Sequence, residues 1–250
     1  MARYYYDDEF PEYISVDERR RKAEREAAKL KSASPVMIKG SQIATTFWGK
    51  SWCQNLERYS DYSNRLPRGR TYVRSGCVVD LQISSQKVDA LVSGSRLYTV
   101  EVKVSPISKP RWKAMCHDCA GAIDSLVALL EGSFSKLTME RLCRQRTGLF
   151  PTPAEIKFDC SCPDSARMCK HVAAVLYGIG VRLDERPELL FTLRNVDQRD
   201  LVTNAGQQMT GTKIAKRLEG ENLSEIFGIE VVEPKPRRHR GTEKNSRSDP

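Results

Sequence analysis

The chain has 250 residues, 40% of them hydrophobic and 29% charged, with a formal net charge of +9 and a pI near 9.2. That length holds one sizeable domain or two small ones, and the positive balance favours a polyanion such as nucleic acid as partner. No run of about eighteen apolar residues occurs and the opening Met1-Ala2-Arg3-Tyr4-Tyr5-Tyr6-Asp7-Asp8 has no basic-then-apolar leader, so a spanning helix is excluded and a cytoplasmic protein with no membrane partner is expected.

The first 34 residues read as peripheral. Tyr4, Tyr5, Tyr6, Phe10 and Tyr13 give an aromatic start. From Asp17 to Leu30 the composition is charged and helix-forming, and mixed signs at that density mark a solvated helix. Ser32, Ser34 and Pro35 end it. In Phe47-Trp48-Gly49-Lys50-Ser51-Trp52, the Gly-Lys-Ser triplet suggests a phosphate-binding loop, but the glycine such a loop needs five residues earlier is Ala44. Trp48 and Trp52 are four apart, share a helix face, and are expected in the core.

Asn64-Arg65-Leu66-Pro67-Arg68-Gly69-Arg70-Thr71-Tyr72-Val73-Arg74 is the most basic compact stretch before the tail. Pro67 and Gly69 suggest an exposed loop. Arg65, Arg68, Arg70 and Arg74, with Tyr72 among them, suit phosphate contact and stacking. The competing reading is a solvated loop whose arginines pair with acids such as Asp61. From Cys77 the period changes to two. Val78–Ile83, Val88–Val92 and Tyr98–Val104 read as strands joined by short turns, an antiparallel meander with one wet face. Pro110 to Gly132 predicts a covering helix with Trp112, Ile123, Leu126, Val127, Leu129 and Leu130 on its apolar side. Cys116 and Cys119 inside it lack a second ligand pair nearby and are expected to pack as small apolar residues. A short helix follows near Thr138–Arg146, and Phe150-Pro151-Thr152-Pro153 marks a boundary.

Cys160-Ser161-Cys162-Pro163-Asp164-Ser165-Ala166-Arg167-Met168-Cys169-Lys170-His171 places three thiols and an imidazole within twelve residues. Cys3His is an ordinary structural zinc set. Alternate residues of a strand share a face, so Cys160 and Cys162 can reach one metal. Pro163 suits a turn. Val172, Val175, Leu176 and Ile179 then follow at helical spacing, and Gly178 and Gly180 predict the helix end. Buried thiols beside a surface histidine are the alternative. A catalytic zinc is disfavoured, because four protein ligands leave no position for water. A deaminase site lacks its H-x-E. The chain has eight cysteines. Setting these three aside leaves Cys53, Cys77, Cys116, Cys119 and Cys143, an odd number that cannot close as disulfides.

The pattern C-x-C-x(n)-C-x-H resembles the SWIM zinc finger. The resemblance implies Zn2+ held by Cys160, Cys162, Cys169 and His171 in a small ββα module that binds DNA or protein. Trp48-Gly49-Lys50-x-Trp52, Asn64 to Arg70, Val92-Ser93-Gly94-Ser95, Gly148-Leu149-Phe150-Pro151 and Cys169 to Tyr177 together are similar, in this order, to the bacterial SWIM zinc finger family proteins over roughly residues 40 to 200. That family implies a SWI/SNF-type helicase as partner, and nothing in its pattern supplies a catalytic residue.

After this segment, Pro187 to Leu193 predicts a helix. Residues 203 to 212 read as a linker and Leu223 to Val232 as a last apolar contact. The tail, with Arg237-Arg238-His239-Arg240, has the composition of a disordered segment. The expected architecture is α+β: a small antiparallel β-meander with packed helices, plus the ββα finger. Its segments are 1–34, 35–148, 149–190 for the finger, 191–232 and 233–250. No Ser-His-Asp set is available from His117, His171 and His239, so an adaptor rather than an enzyme is expected, with no small-molecule substrate. It would bind DNA, a helicase, or both. The rival expectation is a pure protein-interaction module whose zinc only holds a docking surface.

Overall fold

The structure, a computed structural model, describes residues 15–58, 65–164 and 168–202. The N-terminal tyrosines, Asp61, Arg167, the 203–212 linker, the apolar stretch 223–232 and the basic tail lie outside the described residues. Helix α1 (Val16–Ala28) starts at a capping box in which Ser15 and Glu18 bond each other's backbone N–H. Its charged sequence leaves Ala23 as its buried residue, as expected for a solvated helix.

Helices α2 (Phe47–Glu57) and α3 (Leu66–Arg74) follow. Trp48 and Trp52 are fully buried, each removing apolar surface worth on the order of 4–6 kcal/mol. Their indole N–H groups donate to the carbonyls of Leu129 and Leu130 and of Leu176. The Gly-Lys-Ser triplet thus lies inside a helix, not in a loop. The 65–74 stretch is also a helix, where a loop was expected. Pro67 occupies the first turn, where its missing N–H costs nothing. Gly69 serves close packing: a Cβ there would come within 2.5 Å of the Cβ of Ala173.

Strands β1 (Val78–Ser84), β2 (Lys87–Ser93) and β3 (Leu97–Val104) form the expected meander. A fourth strand, β4 (Ile156–Cys160), pairs antiparallel with β3, giving the order β1-β2-β3-β4. The sheet therefore runs across residue 149. The inner face carries Val88, Ala90, Val100, Val102 and Ile156, all buried. The outer face carries two charged rows in register: Lys87, Lys103 and Lys157, then Asp89, Glu101 and Asp159. Like charges directly opposite are unfavourable. Diagonal pairs offset this, with Lys87 Nζ 2.9 Å from both Asp89 and Glu101.

The stretch after β3 is two helices rather than one. Helix α4 (Lys109–Asp118) closes at Cys119, Gly121 adopts a left-handed conformation, and Ser125 caps α5 (Leu126–Glu131). Gly132 ends α5 with positive φ. Helix α6 (Lys136–Leu142) and a 3-10 turn at Pro153–Glu155 lead into β4.

Helix α7 (Lys170–Glu185) is the centre of the core. It lies between the sheet and helices α2 and α3, and every residue from His171 to Val181 is buried. Gly178 and Gly180 do not end it. A Cβ at Gly180 would lie 2.7 Å from Cys53 Sγ, and one at Gly49 would lie 2.5 Å from the Gly180 carbonyl oxygen. These glycines let α2 and α7 touch backbone to backbone, and that contact outweighs the roughly 1 kcal/mol helix penalty of glycine. Helix α8 (Glu188–Arg194) follows α7. Its Arg194 has no exposed side-chain surface and bonds Glu155 and the Ser105 carbonyl. The result is α+β. No helix among the described residues is long and apolar enough to cross a membrane.

Candidate metal centre

Cys160 is the last residue of β4, Cys162 lies in the turn beyond it, and Cys169 and His171 flank the first residue of α7. Strand, turn and helix start thus bring the four candidate donors to one point. Their ligand atoms all lie within 4.8 Å of one another. His171 Nδ1 is 3.9 Å from both Cys160 Sγ and Cys169 Sγ. Thiolates around a zinc at about 2.3 Å stand roughly 3.8 Å apart, so a small contraction suffices. Three soft thiolates and one imidazole, with every donor from the protein, match a closed structural zinc site.

Cys169 is also the N-cap of α7, its Sγ accepting the N–H of Val172 at 3.5 Å. A hydrogen bond from the Cys160 thiol pulls the Cys169 thiol down to about 3, against the effect of burial, with help from His171 and the Val172 amide. The same pairing and burial push Cys160 far up, and burial raises Cys162. Without a metal the three thiols are thus pulled in opposite directions, Cys169 down and Cys160 and Cys162 up. A metal that takes all three sulfurs displaces the remaining protons. The other thiols differ. Burial pushes Cys53 up to about 12 and Cys77 to about 11, which marks them as packing residues. Cys116 and Cys119 are likewise buried.

The imidazole of His171 is fixed from both sides. Tyr98 stacks on it at 4.4 Å and Tyr72 meets it edge-on at 5.5 Å. A Cβ at Gly94 would lie 3.0 Å from His171 Nε2 and 2.8 Å from the Tyr98 ring, so this turn has room for glycine alone. The reading of the chain did not single out Tyr98 or assign Gly94 a role. Its only signal there was the resemblance of Val92-Ser93-Gly94-Ser95 to the family.

The basic stretch is less free than its composition suggests. Arg65 pairs with Asp164 at 3.4 Å. Arg70 bonds Glu57 at 2.5 Å and the Tyr177 hydroxyl at 2.9 Å. Arg74 donates to the Ser41 carbonyl. Arg68 is exposed and has no partner among the described residues.

With this geometry in place, comparison assigns its class: residues 156–178 match the SWIM zinc finger family. The matched segment carries β4, the four candidate donors and the start of α7. The chain is also similar to a Mycobacterium tuberculosis (strain ATCC 25618 / H37Rv) protein described as uncharacterized protein Rv2102, with 34% identity over 165 residues. That match covers 65% of this chain and spans 59% of the relative's length. No solved structure matches the chain.

Proposed function

We propose that this protein is a non-enzymatic zinc-binding adaptor that binds DNA and a SWI/SNF-type helicase. The observation carrying this reading is the convergence of four protein donors, Cys160, Cys162, Cys169 and His171, within 4.8 Å. A tetrahedron filled by the protein holds structure and leaves no place for a reacting water. The net charge of +9 supports a polyanionic partner. None of the eight cysteines forms a disulfide, in keeping with a reducing, cytoplasmic setting.

Two measurements test the proposal. Metal analysis of protein purified without chelator should give one zinc per chain, and affinity for duplex DNA should fall steeply with salt. Affinity capture after nuclease treatment should retain a helicase. Absence of zinc removes the finger reading, and absence of DNA affinity removes the nucleic-acid half.

A second reading, a protein-interaction module without DNA binding, is favoured by one observation. Arg65, Arg70 and Arg74 are engaged inside the fold. It predicts helicase capture that survives nuclease with little DNA affinity at any salt.

A further inference from the structure

Four cations surround the aromatic cage of His171. Arg19 of α1 lies over the Tyr72 ring at 5.1 Å, and Lys170, the first residue of α7, lies over the same ring at 5.4 Å. Arg96, in the β2–β3 turn, lies over Tyr98 at 5.4 Å and reaches the Ser161 carbonyl. Lys22, one turn after Arg19, donates to the carbonyls of Gly94 and Ser95, each at 2.7 Å. Arg68 stands one helical turn before Tyr72, on the same face of α3.

Lys22, Arg96 and Lys170 differ from the cations of the fold that sit in ion pairs. Lys87, Lys103, Arg111, Arg141, Arg182, Arg186 and Arg194 each pair with a carboxylate. Among the described residues, no carboxylate pairs with Lys22, Arg96 or Lys170. Held by ring faces and carbonyls instead of acids, they keep their full charge. A guanidinium stacked on a tyrosine is fixed in orientation while its in-plane N–H groups still point outward. Glu18, the nearest acid on α1 in sequence, is turned back to Ser15.

We infer that nucleic-acid phosphates are held on this face, by Arg19, Lys22, Arg68, Arg96 and Lys170 gathered around Tyr72 and Tyr98. The inference rests on the DNA-binding half of the proposed function; it keeps Arg68 of α3 and moves the rest of the contact from Arg65, Arg70 and Arg74 to a surface shared by α1, the β2–β3 turn and the finger. The occupant is the sugar-phosphate backbone, because the surface offers fixed positive charge and its ring faces are already covered.

The test uses the full chain and a labelled duplex of mixed sequence, titrated at a series of salt concentrations. Each phosphate contact removed should lower the salt slope by roughly 0.9. The pair Arg96→Gln with Lys170→Gln, and separately the pair Arg19→Gln with Lys22→Gln, should each lower it by roughly 1.8 and weaken binding on every sequence. Lys136→Gln, on an exposed lysine of α6, should leave the slope unchanged. Zinc content is measured alongside. The α1 pair carries no neighbour of a ligand in sequence, so it decides the matter if the Lys170 variant loses metal. A parent that binds DNA, with both pairs keeping its slope and zinc, overturns this surface and leaves the adaptor reading standing. A parent with no DNA affinity overturns both.

Discussion

The Sγ of Cys169 accepts the amide N–H of Val172 at 3.5 Å, so one sulfur is both a candidate metal donor and the cap of α7, the helix buried from His171 to Val181. The two roles can be separated by chemistry. Cys169→Ser keeps an acceptor at the cap and loses the soft ligand, while Cys169→Ala loses both. Each variant should lose zinc. The serine form should be the more stable by about 1 kcal/mol, the usual worth of an N-cap. Zinc analysis with urea unfolding reads both effects, and full zinc occupancy in either variant would take Cys169 out of the ligand set.

Thiol reactivity should divide the cysteines into two groups. The nucleophile is the thiolate. At pH 8, Cys53 and Cys77 stay protonated, since burial holds them at about 12 and about 11. With a chelator present, alkylation mapped by mass spectrometry should find Cys169, whose thiol is lowered, ahead of Cys53 and Cys77; zinc should protect Cys169. Cys116→Ala with Cys119→Ala should leave zinc content unchanged. A fall in metal on that double change would show a second site.

The close approach of α2 to α7 sets a third expectation. Gly49→Ala introduces a Cβ 2.1 Å from Asp184 Oδ1 and 2.5 Å from the Gly180 carbonyl oxygen. Alanine normally favours a helix over glycine by about 1 kcal/mol. Here overpacking should reverse the sign and cost about 1–3 kcal/mol net. Gly180→Ala, 2.7 Å from Cys53 Sγ, should behave likewise. Denaturant midpoints at or above the parent's would mean that the helices separate without cost.

Glu155 lies under two arginines, Arg194 at 2.8 Å and Arg111 at 3.0 Å. Burial alone would raise its carboxyl. The hydrogen bond from Arg194, the Thr152 amide and both positive charges outweigh that and hold it below the ordinary range. A carboxyl lowered on folding contributes stability that is complete above its unfolded value of about 4.3 and fades as pH falls through the folded value. The parent should lose stability on acidification below about pH 4.3, and Glu155→Gln should flatten that part of the curve. Glu155→Ala leaves Arg194 buried with its charge uncompensated, at a cost of about 3–5 kcal/mol. Equilibrium unfolding between pH 3 and pH 7, on the order of that range, checks both.

Much of this was legible from residue order, where a local rule decides. The period-two runs between Val78 and Val104 gave the meander, because alternation with tight turns admits little else. The cluster of candidate donors was legible because four ligand-type residues sit within one short stretch. What local rules missed was set by distant contacts. Gly178 and Gly180 look like a helix end until α2 is brought against them. Pro67 and Gly69 look like a loop until Ala173 of α7 supplies the reason for the glycine. A strand at Cys160 was expected, but its place in the meander was hidden because Ile156–Cys160 is short and finds its partner some fifty residues away in sequence, at β3. The arginines of α3 looked unopposed because Glu57 and Asp164 reach them only through the fold.

The pairing of β4 with β3 bears on how far the finger can be treated as a transferable part. Cut out at residues 156 and 178, the segment keeps all four donors. It loses the strand that hydrogen-bonds β4, the Tyr98 and Tyr72 rings that hold His171, and the helices that α7 was shaped to meet. Grafted elsewhere, it would carry an address for zinc without the walls around it. The walls of the site therefore belong to the whole α+β body, and insertions between β3 and β4 should be tolerated only where they leave that strand pair in register.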